Sequence, residues 1–210
     1  DVMHETGFEG ILELFLRGLT EEEFYLLKEI TTKAWRFTET HCKKPVVARS
    51  ALLWAFLALR HIRSLFPEPK ATILEIGPGS GYLGCLCGFL GYNYIGMDVT
   101  QAFYLYQNGL WSTMFSDRLV ELASRPDALR DFSQLRGGTL LHVPWWKFAS
   151  PAPLEINLDL DCVVCVDVIA ELHTFAMRYL GRQVARWLGN SAGNKVMYVQ
   201  GTGAQLRSHM

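Results

Sequence analysis

Apolar and polar positions follow two rhythms along this chain, and the change falls near residue 68. Before it the rhythm is helical. Ile11, Leu12, Phe15 and Leu16 share one face of a predicted helix over Phe8–Gly18. Thr20-Glu21-Glu22-Glu23 has the form of a capping box ahead of a second periodic stretch, Phe24–Phe37. Pro45 interrupts it, and a long third helix over Val46–Leu65 is stopped by Pro67. After that, short apolar runs alternate with helical segments. Strands are predicted at Thr72–Ile76, Tyr92–Met97, Thr139–Val143, Leu160–Val166 and Lys195–Gln200, with helices at Tyr82–Leu90, Ala102–Phe115 and Glu171–Leu188. Strands separated by helices predict a parallel sheet, and Leu160–Val166 is apolar enough to be covered on both faces. Ser116–Arg136 reads as one or two polar helices broken at Pro126. Gly137-Gly138 is a turn, and Pro144–Pro153 is a loop whose Trp145 and Trp146 call for burial. The pattern predicts an N-terminal helical extension over 1–68 and an α/β, Rossmann-like core over 69–210.

One stretch of the core carries chemistry. Between Ala71 and Asp98 the order is strand, Gly77-Pro78-Gly79-Ser80-Gly81, helix, strand, acid. Such a βαβ unit holds a nucleoside-like ligand at the carboxyl ends of its strands. Gly77 bends the chain off the strand, Gly79 lets bare backbone approach a ligand, and Gly81 lets the helix start pack closely. Asp98 can accept both hydrogen bonds of a ribose diol. A dinucleotide fingerprint requires a third small residue five places after Gly77, where this chain has bulky Tyr82. Glu75, two residues before the first glycine, can bind an ammonium or orient the loop, whereas a pyrophosphate would gain nothing from a carboxylate there. These features argue against a nicotinamide-dependent oxidoreductase.

The spacing Glu75-x-Gly77-x-Gly79-x-Gly81 resembles motif I of the class I S-adenosyl-L-methionine-dependent methyltransferases. The resemblance runs from Ala71 to about Gln200. It implies that Glu75, Gly77, Pro78, Gly79, Ser80 and Gly81 cradle the cofactor, Asp98 holds the ribose and Val99 covers one face of the adenine. An Asp usually accepts from the adenine amino group after the third strand. Here the third strand brings His142 and Val143 to the cofactor, and a neutral His142, or a backbone carbonyl, would take that role. Asp167-Val168-Ile169-Ala170-Glu171-Leu172-His173 resembles the motif IV region, with Asp167 beside the methionyl group. His173 is the expected general base, with Glu171 orienting it or binding a substrate hydroxyl; an unperturbed imidazole has a pKa of about 6.5. The phrases GMDVTQAFYLYQN and HVPWWKF look like a group of sugar O-methyltransferases, implying a saccharide or natural-product acceptor. Strand order 3-2-1-4-5 follows from the family. The last two strands of its seven-strand sheet are not evident, so the fifth strand is expected to be an open edge, in a piece of a longer protein or covered by another chain. A homodimer through the N-terminal helices or that edge is one expected partner. A non-catalytic or repurposed S-adenosylmethionine-binding module is the alternative function.

Composition narrows the classes. The 210 residues carry a formal net charge of −1, with no Lys/Arg run that would suit nucleic acid. Ala51–Leu59 is strongly apolar but too short to span a bilayer, so no membrane association is expected. Five cysteines read as reduced core thiols of a cytoplasmic protein. Cys162 and Cys165 lie three apart on one strand and so face opposite sides, which excludes a shared metal or redox site. The fifth strand ends Gln200-Gly201-Thr202-Gly203, with no acid for a metal.

Overall fold

A computed structural model describes residues 13, 15, 17–124, 137–148, 160–189 and 195–200. Helices α1 (Glu21–His41) and α2 (Arg49–Leu65) precede the sheet. Six strands follow: β1 (Thr72–Ile76), β2 (Asn93–Asp98), β3 (Leu119–Glu121), β4 (Leu140–Pro144), β5 (Cys162–Val166) and β6 (Val196–Gln200). They alternate with α3 (Tyr82–Leu90), α4 (Gln101–Phe115), the short α5 (Trp145–Phe148) and α6 (Thr174–Gly189). The sheet is parallel throughout, in the order β3-β4-β2-β1-β5-β6. The five predicted strands take the expected order, with β1 and β2 at the centre. This is an α/β, Rossmann-like open sheet.

The N-terminal helices form as their local chemistry dictates, with shifted ends. Thr20 Oγ1 accepts from Glu23 N at 3.2 Å, and Glu23 Oε2 accepts from Thr20 N at 3.0 Å, closing the capping box. Glu23 also takes Arg60 through both carboxylate oxygens, and the Arg60 hydrogen bond holds its pKa below the usual carboxylate range. Helix α1 runs on past Phe37 to His41, since no breaker stands before Pro45. Helix α2 begins three residues later than predicted. The Val46 backbone is engaged elsewhere, its N–H donating to Thr38 Oγ1 and its carbonyl accepting from the same hydroxyl, each at 3.0 Å. Most of Phe8–Gly18 lies outside the described residues, but the Phe15 ring is buried 5.1 Å from that of Phe56.

Side-chain alternation in the strands builds two cores. On one face, α1 to α4 cover Ile73, Tyr94, Leu140, Cys162 and Val164. On the other, α6 covers Leu74, Ile95, Leu141, Val143, Val163 and Cys165. Cys162 and Cys165 therefore face opposite ways, as their spacing requires. Burial pushes both thiols up to about 12, leaving them protonated. Cys42 is exposed and is not a core residue. Asp161 is structural: Oδ2 accepts from Thr72 N at 2.8 Å, and Oδ1 meets Lys195 Nζ at 3.1 Å.

Three further expectations change. Within Ser116–Arg136, Leu119–Glu121 is a strand rather than a helix. Leu140 N donates to Arg118 O, Leu122 N donates to His142 O, and the segment extends the sheet beyond β4. Residues 125–136 lie outside the described part. Trp145 and Trp146 are about half exposed instead of buried, on the short turn that follows Pro144. Helix α6 starts at Thr174 rather than Glu171, after a 3-10 turn over Ile169–Glu171. Strand β6 pairs only with β5 among the described residues, leaving Met197 and Val199 over 40% exposed. No described helix is long and apolar enough to cross a membrane.

The glycines divide into space-critical and free positions. A Cβ on Gly96 would lie 2.5 Å from the Trp111 ring, whereas one on Gly181 meets nothing within 4 Å. Gly96→Ala should cost about 1–3 kcal/mol through overpacking. Gly181→Ala, on the exposed face of α6, should add about 0.5–1 kcal/mol. Urea unfolding of both variants checks the pair; equal effects would contradict this packing.

Candidate functional site

The first helix of the βαβ unit is entered by three left-handed glycines. Gly77, Gly79 and Gly81 have φ of 71°, 53° and 71°. Their surroundings differ. A Cβ on Gly77 would lie 2.3 Å from Val168 Cγ2, in the segment after β5. One on Gly81 would meet Trp111 and Gln107 at 3.0–3.1 Å. One on Gly79 meets nothing within 4 Å, so the backbone there is open to a ligand. The roles expected for the outer glycines gain a specific cause: Gly77 makes room for Val168, and Gly81 for side chains of α4.

A cavity of about 430 Å³ opens over this loop. Glu75, Gly77, Pro78, Gly79, Ser80 and Asp167 form its core side. Ala51, Trp54, Ala55 and Ala58 of α2 form the facing wall, joined by Phe103 from α4. The N-terminal extension is thus part of the site. Small alanines along α2 leave the hollow unfilled, and Tyr82 pins the helix start, its hydroxyl accepting from Ala48 N at 3.2 Å. Burial, with the neighbouring Tyr106 phenol, pushes the Tyr82 phenol well up, so it stays protonated.

Two acids mark the strand ends. Glu75 is 6% exposed, borders the cavity and accepts a hydrogen bond from the Tyr94 hydroxyl. Burial raises its pKa to about 7, and the nearby Asp98 charge adds to the rise. Asp98, at the end of β2, is 4% exposed. Its Oδ1 accepts from Thr100 N and its Oδ2 from Gln107 Nε2, both at 2.8 Å. Asp167 lines the cavity with a positive φ of 55°, a conformation most residues avoid.

Asp98 and the remaining expected positions do not line this hollow. Val99 is exposed just beyond Asp98, where an adenine would lie in the expected arrangement. His142 is fully buried under α4. It stacks on Tyr104 with 3.7 Å between ring centroids, and its Nε2 bonds Gln107 Oε1 at 3.0 Å. Burial depresses its pKa to about 3, so the ring is neutral, and it does not line the cavity. Val143 points to the opposite face, into the core beneath α6. Glu171 and His173 are exposed and line no part of the cavity. His173 Nδ1 accepts from Phe175 N at 3.4 Å, as a helix cap does. No cluster of three metal-ligating side chains occurs among the described residues.

Gln107 was not anticipated. It is fully buried and touches Gly79, Asp98 and His142 at once. A carboxamide at helical spacing from Tyr104 and Trp111, on the buried face of an aromatic-rich helix, was the available signal, because a buried amide must find partners.

No family model and no curated protein sequence matches this chain. Several solved structures resemble it at low similarity. The plantazolicin methyltransferase BpumL, in complex with SAH, aligns with a TM-score of 0.44 and 14% identity, over 95% of this chain and 64% of that one. The glycopeptide N-methyltransferase MtfA, complexed with sinefungin, gives 0.42 and 13%, over 86% and 60%. CalS10, an amino pentose methyltransferase from Micromonospora echinaspora, gives 0.42 and 16%, over 72% and 51%. The present chain spans less than two thirds of each. Likeness at this level assigns neither activity nor ligand.

The raised Glu75 carboxyl makes stability depend on pH. Its pKa moves from an ordinary 4.5 to about 7 on folding, so between those values the folded chain holds a proton that the unfolded chain has released. The contribution is full below 4.5 and is lost as pH rises through about 7. Glu75→Gln, which can still accept from Tyr94, should gain stability relative to the parent from pH 5 to pH 8. Parallel stability profiles in urea would contradict the shift.

Proposed function

We propose that this chain binds S-adenosyl-L-methionine over the glycine loop and transfers its methyl group to a small molecule. The observation that carries this reading is the buried Glu75 carboxyl, which borders the same cavity as the open backbone of Gly79, with Asp98 one strand away. A carboxyl there suits an ammonium and disfavours a pyrophosphate. Glu75 and the glycine loop would hold the amino-acid end, and Asp98 the ribose. Tyr82, 1% exposed, fills the place that a dinucleotide fingerprint leaves small. The cavity falls within the range of about 300–1,000 Å³ usual for small-molecule sites.

When bound, the sulfonium supplies an activated methyl group. The chain then has to align donor and acceptor and exclude water. Helix α2 and Phe103 supply the covering wall. The finer reading is transfer to oxygen, with a sugar hydroxyl as acceptor. A hydroxyl must lose its proton as the new bond forms; with Glu75 given to the cofactor's amino-acid end, Asp167 is the other cavity-side carboxyl group, where that proton can go. The competing assignment keeps His173 as base and Glu171 as its orienting partner. A non-catalytic binding module remains the second reading, favoured by the exposure of both groups.

Calorimetry with S-adenosylhomocysteine and a labelled methyl donor with hydroxylated acceptors test these roles. The parent should bind, more tightly as pH rises from 6 to about 7 and Glu75 ionises. Asp167→Asn should lose most turnover, and His173→Ala should stay within about twofold; the reverse would return the role to His173. Binding without labelled product on any acceptor supports the non-catalytic module. Absence of binding overturns both readings.

A further inference from the structure

Two side chains on one face of α4 grip the glycine loop from below, and neither belongs to the βαβ motif. Gln107 and Trp111 stand four residues apart, so they project side by side. Gln107 Nε2 donates to Gly79 O and to Asp98 Oδ2, both at 2.8 Å. Trp111 Nε1 donates to Gly81 O at 2.9 Å. A carbonyl and a carboxylate can only accept here, so the Gln107 carboxamide has one consistent orientation, with nitrogen toward the loop and oxygen toward His142. That oxygen also only accepts, so His142 donates Nε2–H to it across 3.0 Å. His142 Nδ1 is then a bare lone pair, buried and without a hydrogen-bond partner among the described residues.

We propose that Gln107 and Trp111 are positioning residues that hold the Gly79–Gly81 turn and the Asp98 carboxylate in ligand-ready geometry before a ligand arrives, with His142 as the buried backstop that orients Gln107. The ligand-affinity part of this inference rests on the proposed S-adenosylmethionine site. Three glycines at positive φ would sample many conformations if left free, and ordering them on binding would weaken affinity. Both loop carbonyls are instead tied to one rigid helix face. Asp98 has one hydrogen bond on each oxygen, from Thr100 N and from Gln107, which sets the carboxylate plane and leaves a lone pair on each for a diol. The Trp111 edge and the stacked Tyr104 keep the His142 ring from turning, with centroids 4.6 and 3.7 Å away.

The test compares the parent with Gln107→Met, which keeps the length and deletes the donors, and Trp111→Phe, which deletes the indole N–H. Nitrogen NMR reads the His142 tautomer, hydrogen exchange reads amides 79–85, and calorimetry reads S-adenosylhomocysteine affinity. The ligand-free parent should show a single tautomer, protonated at Nε2, from pH 5 to 8. Gln107→Met should lose that signature. Both variants should exchange faster in the loop and bind about tenfold or more weakly, as expected for losing a hydrogen bond to a charged or loop-fixing group. A folded Gln107→Met protein with parental tautomer and parental exchange overturns the proposal. If Gln107→Met does not fold, unchanged loop exchange and affinity in Trp111→Phe overturn it instead. If the parent binds no S-adenosylhomocysteine, the assigned ligand falls, while the tautomer and exchange measurements still decide the clamp.

Discussion

The indole of Trp111 is the piece on which the centre of this molecule closes. Three glycines abut it, Gly81 at the start of α3, Gly84 within α3 and Gly96 on β2; a Cβ on Gly84 or Gly96 would lie 2.8 or 2.5 Å from the ring, and one on Gly81 3.0 Å. The ring fills the hollow that these glycines leave, and its N–H takes the Gly81 carbonyl. Tyr94 and His142 meet it edge-on, with centroids 5.5 and 4.6 Å away. Dense packing of this kind has few alternative arrangements, so the loop, helix α3 and strand β2 are set relative to one another by a single side chain.

A polar row crosses the sheet beside that wedge. Glu121, His142, Gly96 and Glu75 stand in register on adjacent strands, all facing the helices α3 and α4. Burying such groups is costly unless each finds a partner. Tyr104 meets Glu121, Gln107 meets His142 and Asp98, and Tyr94 meets Glu75. Only Glu75 also borders the cavity, which makes it the point where this buried network reaches a ligand. The opposite wall comes from α2, held in place by the Arg60–Glu23 pair and by the Tyr82 hydroxyl at its first turn.

Much of this was legible in residue order. Alternating strand and helix periods placed all five predicted strands. The acid–glycine–acid spacing located the loop and both strand-end carboxylates, and strand parity separated Cys162 from Cys165. The same parity separates the side chains of His142 and Val143, since neighbours on β4 face opposite sides of the sheet. The short strand Leu119–Glu121 was hidden because three residues carry too little periodicity, and its pairing with β4 supplies what its sequence lacks.

What the sequence by itself determined is local: which segments are strands and helices, where glycines turn the chain, and which strand ends carry acids. These depend on residues a few positions apart, and side-chain period and backbone sterics act over that range. The tertiary structure decided the rest, because the deciding partners are distant in the chain. Gln107 reaches back 28 residues to the Gly79 carbonyl, and Tyr82 reaches 34 to Ala48. Helix α2 became a wall of the site, and His142 turned inward beneath α4, through contacts that no local pattern encodes. The fold and its ligand loop were written in consecutive residues; the grip on that loop was written across the core.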